Sequence, residues 1–276
     1  MKSGKTGMLY VVATPIGNLS DMTQRAIETL AAVDVIAAED TRHSRVLLQQ
    51  YEIKSPMISV HEHNEAAQSE RVLKMLDQGK SVALISDAGT PLISDPGARL
   101  IDAAYEAGAS VIPIPGPSAL SCMLSVAGQP VDRFCFEGFL PSRQASRRKQ
   151  LELLVNEPRT LVFFESTHRI IQSLHDMEDM FGAERPCTVG RELTKRYETV
   201  YRGEISEVIQ LMEGDSNAVK GEFVVVVAGA ADKMDVDMEM GKKIMDALLD
   251  DLSVSRASVI AARLSGARKK ELYRYG

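Results

Sequence analysis

The 276-residue sequence predicts an α/β protein of two domains, a parallel five-stranded N-terminal sheet and a mixed C-terminal sheet with a cleft between them, followed by a small helical tail. Three observations carry this expectation. Apolar strand-like runs at 9–13, 33–38, 57–60, 82–85 and 111–114 alternate with helix-like segments, and right-handed crossovers join such strands into one parallel sheet covered on both faces. After Pro115-Gly116-Pro117 the character changes: 134–139, 161–164, 188–192, 198–202 and 223–228 are strand-like with shorter connections, which suits a mixed sheet. From Ile244 onward, three short helical patterns meet at Ser253 and at Ser265-Gly266, as in a helix-turn-helix. The expected domains are 1–117, 118–232 and 233–276, the first change-over falling between 115 and 125. The acidic, weakly patterned stretch 232–239 is expected to be a linker.

Composition narrows the function classes. No apolar stretch approaches 18 residues, and the polar start with two lysines lacks a signal-peptide core, so a cytoplasmic protein without a membrane span is expected. Cys122, Cys135 and Cys187 show no metal-like or CxxC spacing and read as reduced, mostly buried thiols. The net charge of −6 argues against a protein that coats nucleic acid with its whole surface, while leaving room for a local basic patch.

The chemistry sits in the turns after the strands, where open α/β sheets bind ligands. After the first strand, Thr14-Pro15-Ile16-Gly17-Asn18-Leu19 leads into a helix with Ser20 or Asp21 as the expected cap, and no GxGxxG is present. Gly4-Lys5-Thr6 follows no strand and is not a P-loop. The second turn, Ala38-Glu39-Asp40-Thr41-Arg42-His43-Ser44, is dense in ionisable groups. The fourth is the richest: Ser86-Asp87-Ala88-Gly89-Thr90-Pro91-Leu92-Ile93-Ser94-Asp95-Pro96-Gly97 combines a glycine that brings bare backbone to a ligand with stiffening prolines, hydroxyls and carboxylates. It precedes a helix with Leu100, Ile101, Ala104 and Ala107 on one face. Pro115-Gly116-Pro117-Ser118-Ala119 makes a stiff wall between the halves. In the second half Phe136 to Pro141, Phe164 to Arg169, Gly190 to Leu193 and Lys220-Gly221-Glu222 end or begin strands with polar groups.

The pairs Glu39 with Asp40 and Asp87 with Asp95 suggest paired-carboxylate chemistry, although sequence does not place them at a catalytic separation. His61-Glu62-His63 puts two imidazoles on one face of a strand, a weak metal pair, and no metal is expected. Arg143, Arg147, Arg148 and Lys149 span about two helical turns and offer a grip on phosphates, or simply a solvated face.

Taken together, the turns after the first, second, fourth and fifth strands, Met22-Thr23-Gln24-Arg25-Ala26 and Lys220-Gly221-Glu222-Phe223-Val224 resemble the tetrapyrrole methylase superfamily over residues 8 to about 230. Within it they are similar to the branch that methylates the 2'-hydroxyl of a cytidine ribose in 16S ribosomal RNA, the tail included. Gly89-Thr90-Pro91 stands where the tetrapyrrole enzymes proper show Gly-Asp-Pro, which moves the reading away from macrocyclic substrates. The resemblance implies S-adenosyl-L-methionine in the cleft, a homodimer, and 16S RNA or the 30S subunit as partner. It implies a donor site of Pro15, Asp87, Ala88, Gly89, Thr90, Ser118 and Ala119 from the first domain and Gly138, Phe139, Ala228 and Gly229 from the second. Glu39, Asp40, Asp87 and Glu165 are the candidates for accepting or orienting the hydroxyl proton. Arg42, Arg143, Arg147, Arg148, Arg169, Arg268 and Lys269 are the candidates for RNA contact.

Two other readings stand beside this one: a carbon methyltransferase for a tetrapyrrole precursor, and a ligand-responsive nucleic-acid-binding protein without turnover. Methyl label entering RNA, a macrocycle or nothing separates the three.

Overall fold

The computed structural model describes residues 7–61, 63–215, 217–230 and 238–276. Gly4-Lys5-Thr6, Glu62 and residues 232–237 of the expected linker lie outside them. Described residues group into two compact units, 1–155 with 159–228, and 156–158 with 229–276.

The first half of the larger unit runs β1 (Met8–Val12), α1 (Gln24–Ala32), β2 (Val35–Ala38), α2 (Thr41–Gln50), β3 (Met57–Ser59), α3 (Glu65–Asp77), β4 (Val82–Ile85), α4 (Ala98–Glu106) and β5 (Ser110–Ile114). Its five strands form a wholly parallel sheet in the order β3-β2-β4-β1-β5. Strand side chains alternate between faces, and the core divides accordingly. Ala83 and Ile85 pack with Ala26, Leu30 and Leu48 from α1 and α2, while Val82 and Leu84 pack with Val72, Leu76, Leu100 and Ala104 from α3 and α4. Both faces being covered explains why β4 reads as an unbroken apolar run.

The second half runs α5 (Ala119–Val126), β6 (Phe134–Phe139), α6 (Gln144–Leu154), β7 (Thr160–Ser166), α7 (Ile170–Phe181), β8 (Pro186–Arg191), β9 (Thr199–Glu204), α8 (Ile205–Glu213) and β10 (Glu222–Val227). The sheet order is β6-β7-β10-β8-β9; β6 and β7 are parallel and the remaining pairs antiparallel, so the sheet is mixed. One face is covered by α6, α7 and α8 through Leu151, Leu174, Met177 and Val208. On the other face, Val162, Val224 and Val226 meet Met123 and Ala127 around α5 together with Ile16 from the first half.

The smaller unit holds α9 (Met238–Leu249), α10 (Val254–Ser265) and α11 (Lys269–Tyr275), closed around Met245, Ala257, Ala261, Ala267 and Leu272. Gly266 sits at φ 69°, the left-handed conformation that ends α10.

Several local expectations are corrected. Thr23, not Ser20 or Asp21, caps α1, its hydroxyl accepting from the Ala26 amide, because a separate 3₁₀ turn over Leu19–Asp21 intervenes. Ala107 is exposed as the C-cap of α4, so the apolar face ends at Ala104. His61 and His63 follow β3 instead of sharing its face; their rings meet edge-on at 6.0 Å. Only Cys187 is fully buried, Cys122 and Cys135 being half-buried.

Candidate functional site

Three turns of the first sheet are bolted together at its carboxyl edge. Thr14 and Gly89 exchange backbone hydrogen bonds at 2.9 and 3.0 Å, and the Thr90 hydroxyl donates to the Pro117 carbonyl at 3.1 Å. Opposite them lie the carboxyl ends of β6, β7 and β8 and the amino end of β10. A cavity of about 550 Å³ opens between these edges. Its first-half wall includes Ile16, Ala88, Gly89, Thr90, Ser118 and Ala119; its second-half wall includes Phe139, Phe164, Glu165, Leu193, Lys195 and Val224.

The two loops that supply these walls carry backbone strain, at Ser94 and Glu192 in the lining itself and at Leu92 and Thr194 beside it. Leu92, Ser94, Glu192 and Thr194 all hold positive φ, from 50° to 73°, in the two loops that follow β4 and β8. Non-glycine residues bear this cost mainly where a site needs particular backbone positions. Gly89 holds φ 80°, which glycine adopts without strain, and a Cβ there would make a tight 3.3 Å approach to Ile16 Cγ2.

Electrostatics separate the carboxylates into working and structural groups. The Asp40 side chain accepts from the Arg42 amide at 2.8 Å as the cap of α2, which holds its carboxyl below the ordinary value. Asp87 accepts from the Asp40 amide at 3.0 Å. Behind them the Glu39 carboxyl is pushed up, chiefly by burial and then by the charges of Asp95 and Asp87. Asp95, which sequence reading paired with Asp87 without giving it a role, lines the cavity and is also raised by burial. Glu39, Asp40 and Asp87 are not among the residues that line the cavity. Glu165 reaches the lining but is fully engaged, accepting from the Ser166 amide at 2.8 Å and the Ser173 hydroxyl at 2.6 Å and pairing with Arg169 at 2.8 Å. This commitment makes it a scaffold, correcting its candidacy as proton acceptor.

Of the expected donor-site residues, Ala88, Gly89, Thr90, Ser118, Ala119 and Phe139 line the cavity. Pro15 is buried beneath it, and Gly138, at the bulge of β6, faces the Ser94 hydroxyl. Ala228 is a correction. Because β10 runs antiparallel to β7 and β8, its amino end borders the cavity, while Ala228 follows its far end and is tied to Pro186 and Arg185. Gly229 belongs to the smaller unit.

The basic candidates divide likewise. Arg42, Arg143, Arg268 and Lys269 are exposed. Arg147 is 1% exposed and lodged on Asp176, with Nε and Nη2 both 2.7 Å from Oδ2, so its charge is neutralised inside the core and it is not a phosphate contact. Arg148 is shared between Asp176 and Asp179. Arg169 is turned inward onto Glu165 and the Leu140 carbonyl.

Sequence reading missed Lys195 altogether and gave Glu192 and Glu222 no role. Lys195 Nζ lies 2.9 Å from both Glu192 and Glu222 at the cavity wall. Burial pulls its ammonium down, but the hydrogen bonds to the two carboxylates outweigh burial and leave it above the ordinary lysine value. For Glu192, burial is likewise the largest influence, and the bonds from Lys195 and the Glu222 amide overcome it to leave the carboxyl low. The signal that existed was the turn chemistry around Lys220-Gly221-Glu222; the register that brings it to Glu192 was invisible.

Fold and cleft define the class: a two-lobed α/β protein with a ligand-sized site between the edges of a parallel and a mixed sheet. Residues 8–209 match the Tetrapyrrole (Corrin/Porphyrin) Methylases, and residues 235–276 match the RsmI C-terminal HTH domain. Ribosomal RNA small subunit methyltransferase I of Haemophilus influenzae is 47% identical over 273 residues, covering 98% of this chain and 96% of the relative. The protein of the same name from Escherichia coli O157:H7 is 46% identical over 270 residues, 98% and 94% of the two chains. The chain belongs to the tetrapyrrole methylase family and, within it, to the group of these ribosomal RNA small subunit methyltransferase I proteins. Solved structures share the fold: a cobalt precorrin-4 methyltransferase has a TM-score of 0.62 at 15% identity, covering 83% of this chain and 97% of that one. Uroporphyrin-III C-methyltransferase of Thermus thermophilus, complexed with S-adenosyl homocysteine, has a TM-score of 0.56 at 17% identity, with 80% and 97% covered.

Proposed function

We propose that this protein transfers a methyl group from S-adenosylmethionine to 16S ribosomal RNA, at the 2'-oxygen of a cytidine ribose, with the 30S subunit as its physiological partner. The observation that carries the reading is the cavity. At about 550 Å³ it falls within the range of small-molecule sites, roughly 300–1,000 Å³. It offers bare backbone at Gly89, apolar walls at Ile16, Phe164, Leu193 and Val224, and a carboxylate at Asp95 that complements a cationic donor. When bound, the donor supplies an electrophilic methyl carbon on a sulfonium centre.

The chain's own residues do the rest. The Thr14–Gly89 and Thr90–Pro117 bonds hold the backbone of Ala88 to Thr90 and the start of α5 in place to receive the donor. Fixing donor and acceptor in line lowers the barrier by turning an encounter of two partners into a step within one complex. Phe139 and Phe164, edge to face at 5.6 Å, give the second-half wall an aromatic surface. Two named relatives act on ribosomal RNA, and the tail match points the same way, favouring RNA over a macrocycle. The exposed Arg42, Arg143, Arg268 and Lys269 supply phosphate contacts. Family resemblance extends the reading to a homodimer, checked by sedimentation.

The test is transfer of radiolabelled methyl from S-adenosylmethionine to 30S subunits and to 16S RNA that lack their own modification. Label in RNA supports the reading. Donor binding without label in any RNA overturns it and favours a tetrapyrrole acceptor.

A further inference from the structure

Lys195 is the sole lysine or arginine in the cavity lining among the described residues, in company with Asp95, Glu165, Glu192 and Glu222. Its setting is built. The Gly17 backbone, from the β1–α1 loop, lies on its aliphatic stem: a Cβ on Gly17 would stand 2.3 Å from Lys195 Cγ. Gly221, at φ 105°, makes room for its partner, since a Cβ there would stand 2.4 Å from Glu192 Oε1. Glu192 is further fixed by the Glu222 amide at 3.0 Å and carries a strained φ of 50°, as does Thr194 at 66°. Two glycines and two strained residues thus serve to hold one ammonium group. Two of its three N–H donors are taken by Glu192 and Glu222, leaving one for an occupant of the cavity.

Which occupant follows from charge and position. The donor's reactive centre is a cation, and a lysine beside it is repelled, whereas the bare backbone of Gly89 and the carboxylate of Asp95 suit it. Glu222 is 78% exposed in its side chain and Lys195 27%, so the clasp stands at the mouth, where a polynucleotide too large to enter must present its reacting group. Resting on the proposed function, we propose that Lys195 donates its remaining hydrogen bond to the acceptor ribose oxygen while Glu222 takes that hydroxyl's proton as the methyl group arrives.

The step balances. An oxygen lone pair forms the new C–O bond, the C–S bond breaks with its electron pair passing to sulfur, and the hydroxyl proton moves to Glu222. That carboxylate, open to solvent, returns it to water. The sulfonium becomes a neutral thioether, and no further reactant is needed. Lys195 stabilises the charge that develops on oxygen, and Glu192 holds Lys195 in place.

Donor affinity by calorimetry, and kcat and KM on 30S subunits lacking the modification, are measured for the wild type, Lys195→Met, Lys195→Arg and Glu222→Gln. Donor affinity is expected to stay within about twofold throughout. Lys195→Met is expected to lose about 100-fold or more in kcat/KM, with Lys195→Arg recovering part of it. Glu222→Gln keeps the bond to Lys195, and its substitution at an exposed site leaves the fold intact; it is expected to lose about 100-fold in kcat with KM unchanged. Loss of donor affinity in Lys195→Met would place the lysine on the donor and overturn the proposal. Retention of kcat within about threefold in Glu222→Gln would do so as well. Failure of the underlying function shows itself differently, as a wild type that labels no RNA at all.

Discussion

Removing the Arg147 side chain is expected to cost the fold heavily and the RNA contact nothing. Arg147 and Asp176 are 1% and 2% exposed in their side chains, and two guanidinium nitrogens stand 2.7 Å from one carboxylate oxygen. Breaking a buried pair by deleting one partner costs about 3–5 kcal/mol, because the other charge stays behind. Asp176 would retain Gln144 at 3.0 Å and Arg148 at 3.2 Å, which places Arg147→Ala at the lower end, about 3 kcal/mol. For a unit of this size that corresponds to a fall of about 6–12 °C in Tm. Urea unfolding followed by circular dichroism measures the loss, and Arg147→Met with Asp176→Leu, which removes both charges, should recover most of it. The salt dependence of RNA binding, measured below the transition, should keep its slope. A stability loss under about 1 kcal/mol together with a slope shallower by about one unit would refute the assignment and return Arg147 to the RNA surface.

Glu39 carries a carboxyl raised by burial and then by Asp95 and Asp87, so folding draws a proton to it. Its charged form therefore opposes folding above the raised value, and the opposition fades below the ordinary carboxylate range. Glu39→Gln should raise Tm near pH 8 and lose that gain near about pH 4, read by thermal melts across pH. Gly221→Ala places a Cβ 2.4 Å from the Glu192 carboxylate at φ 105° and should cost about 1–2 kcal/mol in a denaturant titration. A chain ending at residue 230 should keep donor affinity while its RNA binding weakens and becomes less salt-dependent, since Arg256, Arg263, Arg268, Lys269, Lys270 and Arg274 leave with the tail; unchanged RNA affinity would exclude the tail from the interface. Burial pushes the Cys187 thiol up to about 12, so at about pH 8 a thiol reagent should modify Cys122 and Cys135 long before it, as mass spectrometry of the labelled protein would show.

The first sheet was legible because its information is local. Each strand is a short apolar run, each crossover helix shows one apolar face, and Gly89, Thr90 and Ser118 stand at strand ends where such sheets place ligands. The second sheet was legible in its strands and obscure in its directions. Nothing local to 222–227 states that β10 runs against β7 and β8, yet that direction puts Glu222 and Val224 beside the cavity and sends Ala228 to the far edge. Charge roles were the least readable. Arg147 sits in a run that looks solvated, and only its partner 29 residues away shows that it is interior. Lys195 needed two distant carboxylates and two glycines to become a site, and each is ordinary where it stands in the sequence.

Delivery of a methyl group from the cavity to a ribose oxygen of small-subunit RNA is read in the nucleoside product. After incubation of undermodified 30S subunits with the protein and isotopically labelled S-adenosylmethionine, the 16S RNA is digested to nucleosides and resolved by mass spectrometry. The label is expected in 2'-O-methylcytidine, with the added mass on the sugar fragment; label on a base, or in a different nucleoside, would overturn the assignment of the 2'-oxygen as acceptor.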